Sequence, residues 1–508
     1  MSAPLRTRYD DVVVGAGTAG LTAAALLARF GRSVLLVDRA PAPGGGLRRF
    51  RRGGAWFDTG FHFTGSVRPG ELFDHLLGVL DLRGAVTPVS YGGDCAHKFI
   101  FAKEGAAVDL PIGLDRAQEL WQGQFPADRE AIAWYFQTLR SIVDRTMGMA
   151  PGKPPVAFGM LDEDFVSLKS VLDEKFREPV LKGAISAFSM CYGSPPSCVS
   201  FAAHARVAFG FHQSGGTFAG GGDAVAAALT KAAERNGVEI CCGCGLEAFA
   251  KVENGQPGEA VFANGHAVAF DRCVLTIDPA LILGLLEPVK PSPAFKERVR
   301  GFEPSIGFFA AYGVVDGASP VPGFARSVYS EFPDADFDRM MDPARAGWDR
   351  PLVVIEVPGE AAAGVPPSIT ALELSFAGDV AAWADSRLGR RPEGYKAYKR
   401  ERADSISGRL ARITGYADRV RWVDTASMLT FRDYLHSPCG SAYGILQKVG
   451  QYGLFGRLPG RNLYAAGQSA LLPGVLGSMM SGLLVARQMV GKDAFDPAVF
   501  AREAANGA

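Results

Sequence analysis

The chain has 508 residues, of which 48% are hydrophobic and 21% are charged, so it can bury a large core and is not intrinsically disordered. At about 150 residues per domain, this length predicts more than one structural unit. The 53 basic side chains balance the 53 acidic ones, which excludes a global attraction to nucleic acid. The eight cysteines are sparse for this length, and the three that crowd together at 241, 242 and 244 have no histidine near them in sequence, so we expect neither a disulfide framework nor a metal site.

The first forty residues predict two buried strands joined by a helix. Residues 11–14 and 33–37 are short apolar runs, and residues 19–30 are a longer run of small and apolar residues. These lengths are typical of a strand, a helix and a second strand. Asp38 ends the second strand, where a carboxylate can accept hydrogen bonds from an adenosine ribose.

A glycine motif occupies the turn between the first strand and the helix. Gly15, Gly17 and Gly20 have the spacing GxGxxG. Here Gly15 permits a tight turn, Gly17 lets a pyrophosphate approach the backbone, and Gly20 lets helix and strand pack closely. The start of the helix then offers free N–H groups to the phosphates. The sequence therefore predicts a bound dinucleotide.

A second glycine-rich stretch follows the ribose-binding acid. Arg39 leads into Gly44-Gly45-Gly46, a basic stretch at 48–52, and the segment Asp58-Thr59-Gly60-Phe61-His62. Backbone without side chains is what a pyrophosphate and a flat isoalloxazine ring require, whereas a nicotinamide dinucleotide gives no reason for a second set. The basic stretch predicts either a hairpin in solvent or a contact with phosphate or a lipid surface.

These segments resemble the FAD superfamily that includes amine oxidases, phytoene desaturases, carotenoid isomerases and retinol saturases. The resemblance implies FAD as the cofactor, with Arg39, the three glycines Gly44, Gly45 and Gly46, and Gly60 lying against it. Amine oxidases usually carry an arginine after the glycine pair, where this chain has a glycine and a leucine. That difference favours the carotenoid and retinoid branch.

Two blocks in the middle of the chain resemble the flavin domain of phytoene desaturases. A glycine triplet precedes Asp223, the predicted N-cap of a helix that ends at Arg235, and a strand follows at 238–242. Further on, a strand at 272–277 precedes Asp278, a predicted N-cap with a proline directly after it.

A third block near the C-terminus predicts a strand, a glycine turn and a helix. The strand and turn cover residues 462–468 and the helix residues 473–490. Residues 462–486 carry no charge and are long enough to cross a membrane, but they contain four glycines and a proline. These residues favour a buried glycine-rich loop that enters a core helix.

This third block resembles the last flavin-contacting segment of the same superfamily. The resemblance implies that Gly467, Gln468, Gly474 and Gly477 contact the flavin, whose pyrimidine ring would face a helix N-terminus. Gln468 replaces the aspartate common in the wider superfamily, and in this respect the chain is similar to retinol saturases.

We therefore predict an α/β fold with a Rossmann-like FAD-binding domain interleaved with a second, α+β substrate domain, a mixed sheet capped by helices. The FAD-binding domain is assigned residues 1–65, 215–287 and 424–508, and the substrate domain residues 66–214 and 288–423. In the second domain the patterns predict strands at 308–315, 351–357 and 368–376 and a helix at 391–413.

The resemblance implies an FAD-dependent oxidoreductase that desaturates, saturates or isomerises carbon–carbon double bonds of a long apolar polyene, such as a carotenoid, a retinoid or a related lipid. Such a substrate requires a long cavity with few polar groups. Two alternatives stay open: an amine-oxidase-like flavoenzyme that oxidises a C–N bond, and a non-catalytic carrier of prenyl lipids of the GDP-dissociation-inhibitor type. The electron partner is also left open.

Saturating a double bond requires a proton opposite the hydride, so a general acid is expected near the flavin. His62 is the first candidate because it lies two residues after Gly60. Tyr434, His436 and Tyr443, which precede the third block, are further candidates to donate or orient a proton. We expect a cytoplasmic protein, because no signal-peptide pattern is visible, with peripheral membrane contact because its substrate is a lipid.

Overall fold

Two large sheets with helices packed against both make up the molecule. The computed structural model describes residues 5–92, 95–147, 160–316, 326–345, 350–359 and 364–491. The mixed α/β architecture confirms the fold class predicted from the sequence.

The strands of the described residues are β1 Arg8–Val14, β2 Val34–Asp38, β3 Arg49–Arg52, β4 Ala55–Asp58, β5 Thr64–Gly65, β6 Pro88–Ser90, β7 His97–Phe101, β8 Ala106–Leu110, β9 Gly215–Phe218, β10 Glu239–Cys242, β11 Leu246–Glu253, β12 Gln256–Phe262, β13 Ala267–Leu275, β14 Gly307–Val315, β15 Val328–Phe332, β16 Leu352–Val357, β17 Ser368–Ser375, β18 Val420–Ala426, β19 Gly456–Arg457 and β20 Leu463–Ala465. The helices are α1 Thr18–Arg29, α2 Leu72–Val79, α3 Leu114–Gln124, α4 Arg129–Met147, α5 Leu168–Lys175, α6 Pro179–Ser186, α7 Ser189–Tyr192, α8 Phe201–Gln213, α9 Gly221–Arg235, α10 Pro279–Leu285, α11 Pro293–Arg300, α12 Phe337–Met340, α13 Glu393–Ile413, α14 Met428–Leu435 and α15 Gly474–Val490.

The first sheet has the strand order β10-β2-β1-β13-β12-β11, and β20 pairs with the second half of β13. The strands β10, β2, β1, β13 and β20 run parallel to their neighbours in this set. Val12 and Val13 on β1 are both fully buried, as expected for parallel strands covered on both faces. Helices α1, α9 and α15 pack on one face of the parallel strands. On the other face, side chains of α10 and of the β11–β12 hairpin at the edge of the sheet share one apolar cluster with β1 and β2.

The second sheet has the order β18-β14-β17-β16-β15-β7-β8 and is antiparallel except for the pair β15–β7. Every residue of β14 and β17 is buried, because α13 covers one face and a large aromatic cluster with α4 and α8 covers the other. The predicted strands 308–315, 351–357 and 368–376 correspond to β14, β16 and β17 within one residue at each end.

Some boundaries differ from the sequence predictions. The strand predicted at 272–277 corresponds to β13, which begins earlier, at Ala267, because its first residues pair with β12. It ends at Leu275. The domain boundary predicted at position 424 falls inside β18, which lies in the second sheet. The basic stretch 48–52 lies in the antiparallel β3–β4 hairpin, as one of its two interpretations required.

The uncharged stretch 462–486 is a strand, a turn and the first part of α15. Ten residues of α15 are buried against the core, which confirms the prediction of a core helix. Within the described residues, no helix combines the length and the apolar character needed to cross a bilayer.

A buried ionic network fixes α13 to the second sheet. Glu373 on β17 is fully buried and pairs with Arg402 and with Arg409, whose Nη1 lies 3.1 Å from Oε1. Arg409 also donates from Nε to Glu331 Oε2 at 2.6 Å. Burial raises the pKa of Glu373 and the two arginines oppose that rise. Removal of the central carboxylate would take from two buried arginines the anion that they share, and Arg409 would keep its bond to Glu331.

We therefore expect Glu373→Ala to lower the free energy of unfolding by about 3 kcal/mol or more, since breaking a buried ion pair from one side is strongly destabilising. Denaturant titration followed by circular dichroism measures this loss. The matched control is Glu393→Ala, which removes an exposed ion pair with Arg400 on the same helix and should change stability little. Equal effects of the two substitutions would contradict a structural role for the network.

Candidate active site

The glycine turn after β1 brings the start of α1 against the strand. Gly15 has a φ of +103°, in the left-handed region that favours glycine. A Cβ on Gly20 would lie 1.8 Å from the carbonyl oxygen of Gly15, so only glycine allows this approach. Gly17 is the N-cap of α1 and provides no side-chain cap. The first N–H groups of α1 are therefore left for a ligand.

Asp38 lies at the carboxyl end of β2, beside this turn. Its Oδ2 accepts the N–H of Ala16 at 2.6 Å and its Oδ1 accepts the N–H of Ala40 at 2.7 Å. Each oxygen keeps a further lone pair, so the fixed carboxylate can also accept hydrogen bonds from a ribose.

The second glycine stretch packs directly against the first. A Cβ on Gly45 would lie 3.2 Å from the Cα of Gly17, and a Cβ on Gly60 would lie 3.0 Å from the carbonyl oxygen of Gly46. Gly44 and Gly45 have φ values of +116° and +53°. Three separate segments thus present bare backbone to one space.

The third block closes this space from the other side. Gly467 follows β20 with a φ of +110°, and its N–H donates to Ser481 Oγ at 2.8 Å. Helix α15 begins at Gly474 after Pro473 and has no side-chain cap. Nothing lies within 4 Å of the position that a Gly474 Cβ would take. The positive end of a 17-residue helix therefore faces the space and can stabilise negative charge there.

These segments enclose a cavity of about 290 Å³, which we call the glycine cavity. A second cavity of about 360 Å³, the apolar cavity, has walls from α8, from the second sheet and from the start of α15. Its aromatic walls include Phe63, Phe211 and Phe308. The two cavities share the lining residues Gly60, Tyr443, Gly474 and Val475. They therefore meet at one junction.

Ten of the thirteen predicted cofactor residues line the glycine cavity, namely Gly15, Gly17, Asp38, Arg39, Gly45, Gly46, Gly60, Gly467, Gln468 and Gly474. Gly477 lines the apolar cavity instead. Gly20 and Gly44 lie behind the lining, where Gly20 packs on the first turn and a Cβ on Gly44 would lie 3.0 Å from the Cβ of Ala226.

His62 lines the apolar cavity, two residues from the junction at Gly60. Burial lowers its pKa to about 4, so the imidazole is uncharged at neutral pH. The sequence predicted a proton donor at this position. The structure provides a neutral ring, which accepts a proton more readily than it donates one.

Tyr443 lies at the junction of the two cavities. Its hydroxyl donates to the carbonyl oxygen of Met190 at 2.8 Å, and burial raises its pKa well above the ordinary value. The hydroxyl proton of Tyr443 is therefore bonded to the backbone. This bond fixes the Tyr443 ring at the junction and makes the residue a poor proton donor.

The structure brings Tyr434 and His436 to a different place from His62. Both line the glycine cavity, as Asp38 and Arg39 do, because α14 ends between them. Tyr434 is 61% exposed, and the pKa of His436 is lowered by burial and by the charge of Arg39. Neither lines the apolar cavity, so their geometry does not favour the predicted role in proton transfer.

Sequence reasoning missed several polar side chains of the apolar cavity, because no motif surrounds them. His97 on β7 is one, with its Nε2 2.7 Å from Ser330 Oγ on β15. Burial lowers its pKa to about 3, so it is uncharged. Glu71 and Gln213 are two more. Only the pairing of distant segments brings these residues to one wall.

The residues of the glycine cavity fit FAD. Two uncapped helix N-termini face it, from α1 and α15, and a fixed carboxylate lies at the end of β2. Side-chain-free backbone at Gly17 and Gly474 leaves the room that a pyrophosphate and a flat ring require.

The chain belongs to the flavin containing amine oxidoreductase family, whose profile matches residues 18–371. It is an FAD-dependent oxidoreductase, as the sequence predicted. Among solved structures, an oxidoreductase from Methanosarcina mazei is 17% identical with a TM-score of 0.64 and covers 94% of this chain and 99% of its own. A triple mutant of putrescine oxidase is 16% identical with a TM-score of 0.64, over 95% and 99% of the two chains. At this identity the structures show the fold alone.

Curated relatives point to the branch predicted from the sequence. The all-trans-retinol 13,14-reductase of Macaca fascicularis is 23% identical over 96% of this chain and 86% of its own length. The protein of the same name from Homo sapiens is 22% identical over the same shares. The hydroxyneurosporene desaturase of Rubrivivax gelatinosus is 29% identical over 56% of each chain. The predicted resemblance to retinol saturases and carotenoid desaturases is confirmed.

We expect Gly17→Val to abolish FAD retention without loss of the fold. The space around a Gly17 Cβ is free of protein atoms, so the valine would meet the pyrophosphate and not the chain. The flavin absorbance of the purified protein reports occupancy, and circular dichroism reports folding. The matched control is Gly408→Val, at an exposed glycine of α13 that also has no neighbour within 4 Å. Full flavin occupancy in the Gly17 variant would refute the placement of the pyrophosphate.

Proposed function

We infer that this flavoenzyme exchanges hydrogen with a carbon–carbon bond of a long apolar polyene. The observation that carries this proposal is the junction at which the apolar cavity meets the glycine cavity. Phenylalanines, leucines, valines and methionines are 15 of the 34 residues that line the apolar cavity, and an extended hydrocarbon fits such side chains. Relatives named for a retinol reductase and a hydroxyneurosporene desaturase support the same substrate class.

FAD, when bound, supplies hydride exchange with a substrate carbon. The protein positions the substrate and keeps water away from it. Phe61, Leu72 and Val207 line the apolar cavity, where they exclude water from the reacting bond. Tyr443 lines the junction between the two cavities, and its hydroxyl bond to the carbonyl oxygen of Met190 fixes its position there.

The uncharged ring of His62 can exchange the proton that accompanies the hydride. Dehydrogenation removes a hydride to the flavin and a proton to a base, and a neutral imidazole is such a base. We infer that an imidazole nitrogen of His62 takes up the proton in the dehydrogenating direction, and by microscopic reversibility the same nitrogen returns it in the saturating direction.

The cavity does not favour amine oxidation. For that alternative an aromatic pair facing the flavin would be expected. Phe308 and Tyr443, which both line the apolar cavity, meet edge to face, with centroids 6.2 Å apart and an interplanar angle of 80°. This pair therefore offers no parallel slot for an amine at the junction.

Under anaerobic conditions, we expect a partly saturated isoprenoid to bleach the oxidised flavin of the purified enzyme, and primary amines to leave the flavin yellow. Rapid-mixing absorbance measures this. The Gly17→Val variant serves as the control for nonspecific light absorption by the lipid. Bleaching by amines alone would establish the C–N chemistry, and a colourless protein that binds polyenes and takes up no FAD would establish a carrier.

We expect His62→Phe to retain FAD and to slow flavin reduction by about 10²-fold or more, the usual contribution of a general base. In the native enzyme the base is active above its pKa of about 4. Its rate should therefore be constant from pH 5 to pH 8, whereas a histidine with an ordinary pKa would give an inflection near pH 6.5. The control is His266→Phe at an exposed histidine. An unchanged rate in the His62 variant would assign this residue to packing.

A further inference from the structure

A polar cluster interrupts the wall of the apolar cavity between β5 and the end of α8. We define it by Ser66, Glu71, Gln213 and Ser214. Ser66 Oγ donates to Gln213 Oε1 at 3.0 Å, and Ser214 Oγ both accepts from the N–H of Val67 at 2.9 Å and donates to Glu71 Oε2. Ser66, Glu71 and Gln213 line the cavity. The cluster is therefore a rigid polar patch in apolar surroundings.

Two hydrogen-bonding atoms of this cluster are left for a ligand. Glu71 is only 8% exposed, and its Oε2 is used by Ser214 and by the N–H of Arg68. Within the described residues, neither Glu71 Oε1 nor Gln213 Nε2 has a protein partner. Both residues line the apolar cavity, so an acceptor and a donor that reach it without a protein partner suit a ligand group that both donates and accepts.

The backbone brings this cluster together at a cost in strain. Ser66 has a φ of +54°, unfavourable for any residue other than glycine, asparagine or aspartate. A Cβ on Gly65 would lie 2.3 Å from the carbonyl carbon of Gly210, so the loop presses directly on α8. Strained backbone of this kind is typical of ligand-binding sites.

The charges on the wall of the apolar cavity determine which polar end group of a ligand can bind at the cluster. Arg206, the basic residue of this wall, is paired with Asp164 through two hydrogen bonds of 2.7 and 2.9 Å. Glu71 and Asp144 line the same cavity. A carboxylate on the ligand would therefore meet negative charge without a free cation, and a hydrocarbon end would leave the polar atoms unpaired.

We propose that the polar cluster binds the terminal hydroxyl of a polyene alcohol, which donates to Glu71 Oε1 and accepts from Gln213 Nε2. This rests on the proposed function. Ser66 is four residues from His62, so their Cα atoms are at most about 14 Å apart. Both His62 and the cluster line the same cavity, so a hydroxyl held at the cluster fixes which bonds of the polyene can reach His62.

The test compares three ligands that differ only at one end: all-trans-retinol, all-trans-retinoic acid and the hydrocarbon in which a methyl group replaces the alcohol. Affinities for the FAD-loaded enzyme are measured by fluorescence titration. We expect the native enzyme to bind the alcohol most tightly. Gln213→Leu should weaken alcohol binding about tenfold, equivalent to about 1.4 kcal/mol, and leave hydrocarbon binding unchanged.

Two further variants separate recognition from folding. Gln213→Glu keeps the acceptor for Ser66 but removes the amide donor, so it should also weaken alcohol binding. Glu71→Gln removes the negative charge, so it should raise the affinity for the acid and narrow the alcohol-to-acid ratio. Gln122→Leu, at a glutamine of α3 that lines neither cavity, should match the native enzyme.

Equal affinity for the three ligands in the native enzyme, or equal losses for all three in the variants, would overturn the hydroxyl site and leave the polyene function standing. Absence of binding for all three, with flavin bound, would overturn the site together with the proposed function.

Discussion

The active site depends on backbone packing against backbone. The start of α1 can approach the end of β1 because Gly20 has no side chain to meet the carbonyl of Gly15, and the second glycine stretch can approach α1 because Gly45 has none to meet Gly17. A Cβ on Gly20 would lie 1.8 Å from that carbonyl oxygen and would force the segments apart, and a Cβ on Gly45 would lie 3.2 Å from the Cα of Gly17, closer than most such contacts. The cofactor cavity thus depends on the absence of side chains at these glycines. Because the backbone segments are closely packed on the sheet, the shape of the cavity is rigid.

The same packing sets the position of the wall between the two cavities. Gly60 belongs to the packed glycine segments, and the chain that leaves it passes His62 and reaches β5 within four residues. From the other side, Ser305 precedes β14 and accepts the N–H of Tyr443 at 3.0 Å. The wall between flavin and substrate is therefore built by the connection from β4 to β5, which belong to two small sheets, and by the segment before β14 of the second large sheet.

The sequence predicted well those features whose cause is local. Asp278 caps α10 through the N–H of Ala280 at 2.8 Å, with proline at the first helical position, as its neighbours alone indicated. The glycine turns were predictable because each has a local steric reason. His97, Glu71 and Gln213 were not, because their role arises only when β7, the 66–71 loop and α8 meet. The charge of His62 was not predictable either, because burial determines it and the sequence does not report burial.

The ionisable groups of the apolar cavity share one electrostatic pattern. His62 and His97 are uncharged because burial lowers their pKa values to about 4 and about 3, and Arg206 is neutralised by Asp164. Loss of a hydride leaves positive charge on the polyene, and a nearby cation would oppose it strongly in a low dielectric. Glu71 is the buried carboxylate of this wall, whereas Asp144 is exposed to solvent. Among the described lining residues, no unpaired cation is therefore left to oppose the loss of hydride from the polyene.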